Sequence, residues 1–273
     1  MIHTVHLFPE LDQHLIALLK SLTPEDWEKP TVARLWKVRD VAAHLLDGNI
    51  RAISMYRDGH FVAPDREING YDDLVTYLNL LNADWVKAAG RISPALLTEL
   101  LEITGKWYSA IIAQQDLAAD AIFPVSWAGE TVSENWFHIA REYTEKWHHQ
   151  QQIRDAVGKP GIMTPRLFRP LIETFLRGLP HTYRNTRAPE GTTVRIGIRL
   201  EETFEWFVVK TEEGWKIGET SENAPDASVI LDADTAWKLF TKAMKPDEAL
   251  SKAQLTGNKE LGGITLNLIA VMA

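Results

Sequence analysis

Glu145 and His149 stand four residues apart in Glu145-Lys-Trp-His-His149, within a segment of strong helical character. Side chains at i and i+4 lie one above the other on a single helical face, so this carboxylate and imidazole can grip one divalent cation from one rigid helix. His44, far earlier on a separate amphipathic segment, can supply a third ligand. Two histidines and one carboxylate leave coordination positions open, which a metal needs in order to bind and activate a substrate. Spacing alone leaves rivals. His148 is three from Glu145, and Glu142 and His138 fall on nearly the same face. Asp47 follows His44 by three residues; any of Asp47, Glu142 or His138 can orient a ligating imidazole through its second nitrogen. A histidine on an inward helical face also serves commonly as a hydrogen-bonded core residue, and an i,i+4 Glu/His pair as a solvated surface pair.

The elements that must position these groups are read from periodicity. Residues 9–22 repeat Leu11, Leu15, Leu18, Leu19 and Leu22 along one stripe, the mark of an amphipathic helix. A helix is predicted from Val38 to about Arg57, ended by Asp58-Gly59, then a loop over 60–70, a helix over 71–91 and another over 94–116. Thr131 with Glu134 three residues on reads as a capping box opening the longest helix, which ends at Gly158-Lys-Pro160. The expected product is a bundle of about four long helices. Beyond residue 160 a helix is predicted over 164–184. Residues 192–200 then alternate Val194, Ile196, Ile198 and Leu200 with Arg195, Gly197 and Arg199, the period of a half-buried strand. Further strands are read over 203–210, 214–218 and 227–231, and closing helices over 233–244 and 260–272. The predicted class is therefore α+β in two domains, a helix bundle over 1–160 and an α+β unit with a small antiparallel sheet over 161–273.

Composition narrows the functional classes. The chain has 273 residues, 45% hydrophobic and 24% charged, and no cysteine. Disulfides, thiolate metal sites and a cysteine nucleophile of the chain's own are excluded, so any thiol chemistry needs an external thiol. A net charge of −8 speaks against a duplex nucleic-acid binder. No segment has the ~20 apolar residues of a membrane span, and the N-terminus lacks the pattern of a secretory signal, so a cytoplasmic protein is expected. Gly257-Asn-Lys-Glu-Leu-Gly-Gly263 matches neither a P-loop nor a dinucleotide fingerprint and reads as a loop.

Glu145-Lys-Trp-His-His149-Gln-Gln-Gln152-Ile153, with Ala156-Val-Gly158 after it, resembles the last-helix motif of DinB-like metal-binding bundles. That register selects Glu145 and His149 and sets His148 aside. Trp36-Lys-Val-Arg-Asp40-Val-Ala-Ala-His44-Leu, with Glu25-Asp-Trp27 and Pro30-Thr31 before it, is similar to the first-ligand helix of the mycothiol-dependent maleylpyruvate isomerase branch. Asn82-Ala-Asp-Trp85-Val resembles another segment of that branch, making Asn82 and Trp85 pocket candidates. Asp226-Ala-Ser-Val-Ile-Leu-Asp232 and Leu255-Thr-Gly257-Asn resemble the sterol-carrier-like domain that follows the bundle there.

The resemblance implies Zn2+, Ni2+ or another divalent metal on His44, Glu145 and His149. It also implies a mycothiol- or bacillithiol-type cosubstrate, and an isomerase or S-transferase acting on a small electrophile. An arginine of the second domain is further implied to hold an anionic substrate; Arg199 and Arg195 are the candidates, with Arg184 and Arg187 just before the strand, although surface placement competes for each. Trp36, Trp85 and Trp147 are candidate pocket walls, with core burial as the alternative. Expected partners are the thiol and the electrophile, with no nucleic acid or membrane, in a monomer or homodimer. Two other readings compete: a metal-dependent hydrolase with water as nucleophile, and a non-catalytic carrier holding an apolar ligand in the second domain.

Overall fold

The structure is a computed structural model that describes residues 1–222 and 224–272. The helical part contains α1 (Phe8–Lys20), α2 (Pro24–Trp27), α3 (Val38–Tyr56), α4 (Tyr71–Ala89), α5 (Pro94–Ile112) and α6 (Asn135–Val157). The α1 stripe is buried as its period predicts, from Phe8 through Leu11 and Leu15 to Leu18 and Leu19. Thr23 and Asp26 form a capping box on α2, and the Ser93 hydroxyl caps α5 at the Leu96 N–H. Four helices close a ring in which α1 packs on α5, α5 on α3, α3 on α6 and α6 on α1. The fifth long helix, α4, lies outside the ring on α3 and buries only Ala89.

α6 is polar by composition yet buried on nearly every side. It begins three residues later than the capping-box reading required, with Glu134 rather than Thr131 as its N-cap. The segment before it is held extended by a bridge between Asp120 and Glu134 and by the Ala121 N–H to the Ser133 carbonyl (2.8 Å), so Thr131 lies outside the helix. Its end agrees with the sequence, since Gly158 takes the left-handed conformation at φ 67° that a side chain would strain.

The remainder comprises α7 (Pro165–Leu176), α8 (Leu179–Tyr183), β1 (Thr193–Arg199), β2 (Thr203–Thr211), β3 (Gly214–Gly218), β4 (Ala227–Asp232), α9 (Ala233–Phe240), α10 (Pro246–Lys252), β5 (Gln254–Gly257) and α11 (Lys259–Gly263). The helix expected over 164–184 is broken at Gly178, where a Cβ would sit 2.8 Å from Leu268 and 3.0 Å from Trp127. The last predicted helix shortens to α11 and a 3-10 turn over Ile264–Asn267; α10 and β5 carry no strong period and were not predicted. The sheet order is β3-β2-β1-β4-β5. It is mixed rather than wholly antiparallel, because β1–β2–β3 form a meander and β4 enters beside Val194, at the end where β1 starts, and so runs parallel to β1. β5 then pairs antiparallel with β4. No helix of the described residues is long and apolar enough to cross a membrane.

Alternation places Val194, Ile196 and Ile198 on the sheet's inner face with Val208, Val229 and Leu231, all 1% exposed or less. One cluster of buried side chains joins them to α7, α9 and the lower ends of α1 and α6. Trp147 is its junction, with ring centroids 5.7 Å from Phe168 and 6.4 Å from Trp237. That fixes the face α6 turns to the sheet, and therefore the face it turns to α3.

Candidate metal centre and its cavity

α3 and α6 run antiparallel along a shared seam, with His44 beside His149 at one end and Tyr56 beside His138 at the other. At the first end one ligand atom each from His44, Glu145 and His149 lies within 4.8 Å of the others. Glu145 Oε2 is 3.4 Å from His149 Nε2, close to the ~3.3 Å edge of a tetrahedron with bonds of 2.0–2.1 Å. His149 Nδ1 donates to Gln152 Oε1 at 2.9 Å, which leaves Nε2, on the Glu145 side, as the ring nitrogen available to a metal. His44 Nδ1 is buried with no partner among the described residues. Trp36 covers the pair, its ring 4.9 Å from His44 and 6.1 Å from His149. These donors fit a divalent cation.

The electrostatics agree. Burial drives the His44 imidazole well below its usual range, and His149 beside it adds to the effect. Burial likewise brings His148 down to about 4. At Glu145 the loss of solvent pushes the carboxyl up, but His148, His149 and Arg141 together hold it well below the carboxylate range. His44 is thereby presented neutral and Glu145 ionised, the forms that ligate metals. His148 donates Nδ1–H to the Thr144 carbonyl at 2.8 Å and leaves Nε2 4.0 Å from Glu145, a neighbour of the trio rather than part of it.

The centre opens into a cavity of about 990 Å³. The lip over residues 32–36, the seam, and Leu74, Leu78 and Asn82 of α4 form its walls, and Thr241, Lys242, Ala243 and Lys245 with Val271 and Met272 close it from the sheet side. Arg34, Arg51, Arg141, Lys146, Lys242 and Lys245 line it against two acids, Glu142 and Glu145. Arg51 is engaged by Asp47 (2.8 Å) and Arg141 by Glu142 (2.7 Å). Lys146 reaches Asp12 (3.1 Å) and Asn49 (2.7 Å), with its ammonium 4.4 Å from the Tyr108 ring centroid. Lys242, the one non-glycine residue with positive φ (63°) among those described, donates to the Met272 carbonyl at 3.1 Å.

The other sequence candidates fall in several places. Asn82 and Trp36 line the cavity. Trp85 donates to the Ala43 carbonyl at 2.7 Å and hooks α4 onto α3. Trp147 is core. Asp47 holds Arg51 rather than His44. Glu142 accepts from Arg141 and, at 3.4 Å, from Tyr108; desolvation raises its carboxyl, and Arg141 and His138 more than reverse that. His138 is buried near the far end of the seam, where its Nδ1 accepts from Arg141 Nη2 at 2.8 Å. Arg199 bonds Gln254 (3.2 Å) and Arg195 pairs with Glu205. Neither lines the cavity, because the polar face of β1 points away from it; Arg184 and Arg187 do not line it either. Sequence reasoning missed Gln152, Arg141, Lys146, Lys242 and Lys245. Gln152 and Arg141 were legible as the residues three after His149 and four before Glu145. The lysines after α9 carried no signal.

The fold and site together define a class: a helix bundle with a two-histidine, one-carboxylate centre, joined to a five-stranded α+β unit. The mycothiol maleylpyruvate isomerase N-terminal domain profile matches residues 8–154, and the chain belongs to that family. Among solved structures, a mutant of the mycothiol-dependent maleylpyruvate isomerase superposes with TM-score 0.54 at 8% identity, over 92% of this chain and 91% of that one. The non-mutant enzyme gives 0.53 at 10% identity over 88% of each. At these identities the likeness is one of fold. Sterol carrier protein 2-like 2 of Aedes aegypti aligns with 39% of this chain and all of its own at 15% identity, but its TM-score of 0.31 is too low to carry weight. No curated protein is significantly similar in sequence.

Proposed function

We propose that the protein is a divalent-metal enzyme that takes a low-molecular-weight thiol, of the mycothiol or bacillithiol type, as cosubstrate and isomerises or S-transfers to a small anionic electrophile. The observation that carries this reading is the convergence of His44, Glu145 and His149 within 4.8 Å in the wall of a large cavity, in a chain whose family is named for a mycothiol-dependent isomerase. A divalent cation there would have free positions and would lower the pKa of a coordinating thiol. The chain's own residues do the rest. Gln152 fixes the His149 tautomer. Trp36 shields the imidazoles from one side. Arg34, Lys242 and Lys245, which have no acidic partner among the described residues, favour an anionic substrate at the rim. With no cysteine in the chain, a thiol nucleophile has to arrive from outside. Zinc is the first candidate, because two imidazoles and a carboxylate with an open position are a common catalytic zinc set. The carrier reading is disfavoured by the sheet's inner face, which its own side chains and α7 and α9 fill.

Elemental analysis of protein purified without added metal tests this. About one divalent cation per chain is expected, lost in both Glu145→Ala and His149→Ala, with turnover that requires an added thiol. Metal retained in both variants would refute the site, and thiol-independent turnover would favour the hydrolase.

A further inference from the structure

A second pocket of about 80 Å³ lies farther along the α3–α6 seam, walled by Gly48, Tyr56, His138, Arg141 and Glu142 among others. It shares Gly48, Arg51, Phe123, Arg141 and Glu142 with the main cavity. Gly48 stands at the passage between them, and a Cβ there would meet nothing within 4 Å. The pocket's walls hold donors with nothing to donate to. The Tyr56 hydroxyl and the Arg141 Nε–H are buried and have no protein partner among the described residues. Arg141 uses Nη2 on both Glu142 and His138 Nδ1. Since His138 Nδ1 accepts that bond, the proton of the neutral ring sits on Nε2, a further donor. Glu142 is occupied by Arg141 and Tyr108. Buried donors without acceptors are costly and rare in native proteins.

We propose that this side pocket is a binding subsite that takes a carboxylate or amide oxygen of a small molecule whose other end reaches the His44–Glu145–His149 centre. The inference rests on reading the main cavity as a small-molecule site. Reach supports it. Arg141 precedes Glu145 by one helical turn and His138 precedes it by two, so roughly 6 to 10 Å of α6 separates the two ends, which a spacer of a few carbons spans. The subsite selects molecules that carry an acceptor at that distance. It acts on ground-state recognition, with Tyr56 and Arg141 as specificity residues that take no part in the chemistry at the centre. The acceptor oxygen can belong to the thiol or to the electrophile, and two sets of probes separate these sources.

Titration calorimetry on wild type and Tyr56→Phe, with metal content measured on the same preparations, tests the subsite. The first set pairs mercaptopropionate and mercaptobutanoate with propanethiol and butanethiol. The second pairs succinate with butyrate, which has a single carboxylate and so, with that group on the centre, offers the side pocket only a methyl group. Tyr56→Phe removes a hydroxyl that bonds nothing in the protein, so the fold and the metal content should stand. The expected result is that the acceptor-bearing probe of one set binds the variant about tenfold more weakly, while its plain counterpart is unaffected. The responding set identifies the molecule that supplies the oxygen. If Tyr56→Phe leaves every affinity unchanged, the donors serve only water and the proposal fails. Equal weakening of bearing and plain probes would also overturn it, as general damage to the cavity. Metal-free wild type with Tyr56-dependent succinate binding would refute the metal reading and keep the subsite. Metal-loaded protein with no Tyr56 dependence would do the reverse.

Discussion

The α3–α6 seam and the inner face of the sheet are both interior, and they are built from opposite materials. The seam holds His44, Glu142, Glu145, Lys146, His148 and His149, all but His44 bonded or ion-paired to a polar neighbour, and His44 Nδ1 has no partner among the described residues. The sheet face holds Val194, Ile196, Ile198, Val208, Val229 and Leu231 and no titratable side chain. Apolar burial is non-directional and favourable, whereas buried polar groups cost free energy unless every one is satisfied. The contrast places stability in the shared cluster around Trp147, Phe168 and Trp237, and places chemistry in the seam that this cluster holds shut. Lys146 is the point where the two demands meet. It is 9% exposed by side chain, and its ammonium satisfies Asp12 and Asn49 while resting on Tyr108. Lys146→Met should therefore cost about 3 kcal/mol in urea unfolding, because it strands Asp12 and Asn49 in the interior. A neutral result would break the comparison, showing the seam to be held by apolar contact alone.

The next largest effect is a dependence on acid supplied by the buried imidazoles of the seam. Burial brings His138 from 6.5 down to about 4, with Arg141 adding to the shift. The unfolded chain binds this proton below its ordinary pKa and the folded chain does not until about 4. The stabilisation is thus fully present above pH 6.5 and is lost as pH falls from 6.5 through 4. For one imidazole the loss approaches roughly 3 kcal/mol, and His148, also brought to about 4, steepens it. Denaturation midpoints at pH 7 and 4.5 should show this slope in wild type and a shallower one in His138→Leu. An unchanged slope in the variant would assign the titration elsewhere.

Legibility in the sequence divides along the same line. Leu11, Leu15, Leu18 and Leu19 gave α1 its buried stripe, and the alternation from Val194 to Leu200 gave β1 its two faces, because burial imposes a period on apolar residues. That alternation also put Arg195 and Arg199 opposite the core, but it could not say which side of the molecule that face meets, and it is not the cavity side. Strand direction left no period either, so the parallel pairing of β1 with β4 was invisible. The spacing of Glu145 and His149 put them on one face, while their meeting with His44 depends on how α3 and α6 pack, which only a family resemblance could suggest. Lys242 and Lys245 reach the cavity from a short loop after α9, and nothing local marks a loop lysine as pocket-lining.

The smallest predicted effects use two glycines inside long helices, where glycine costs up to about 1 kcal/mol relative to alanine. Gly48 in α3 has open space where its Cβ would be, and Gly105 in α5 does not: a Cβ there would lie 2.8 Å from Asp12 Oδ2. Gly105 thus lets Asp12 approach α5 while it holds Lys146, and Gly105→Ala should destabilise by roughly 1 kcal/mol as Asp12 is displaced. Gly48→Ala should stabilise by about 0.5 to 1 kcal/mol, since helix propensity improves and nothing is struck. The opposite signs, read from paired urea curves, would sharpen the contrast: one glycine is there for packing, and the other keeps clear the passage between the metal centre and the side pocket. Equal and stabilising responses would mean that Asp12 moves freely, and that the polar seam is less tightly fixed than its hydrogen bonds imply.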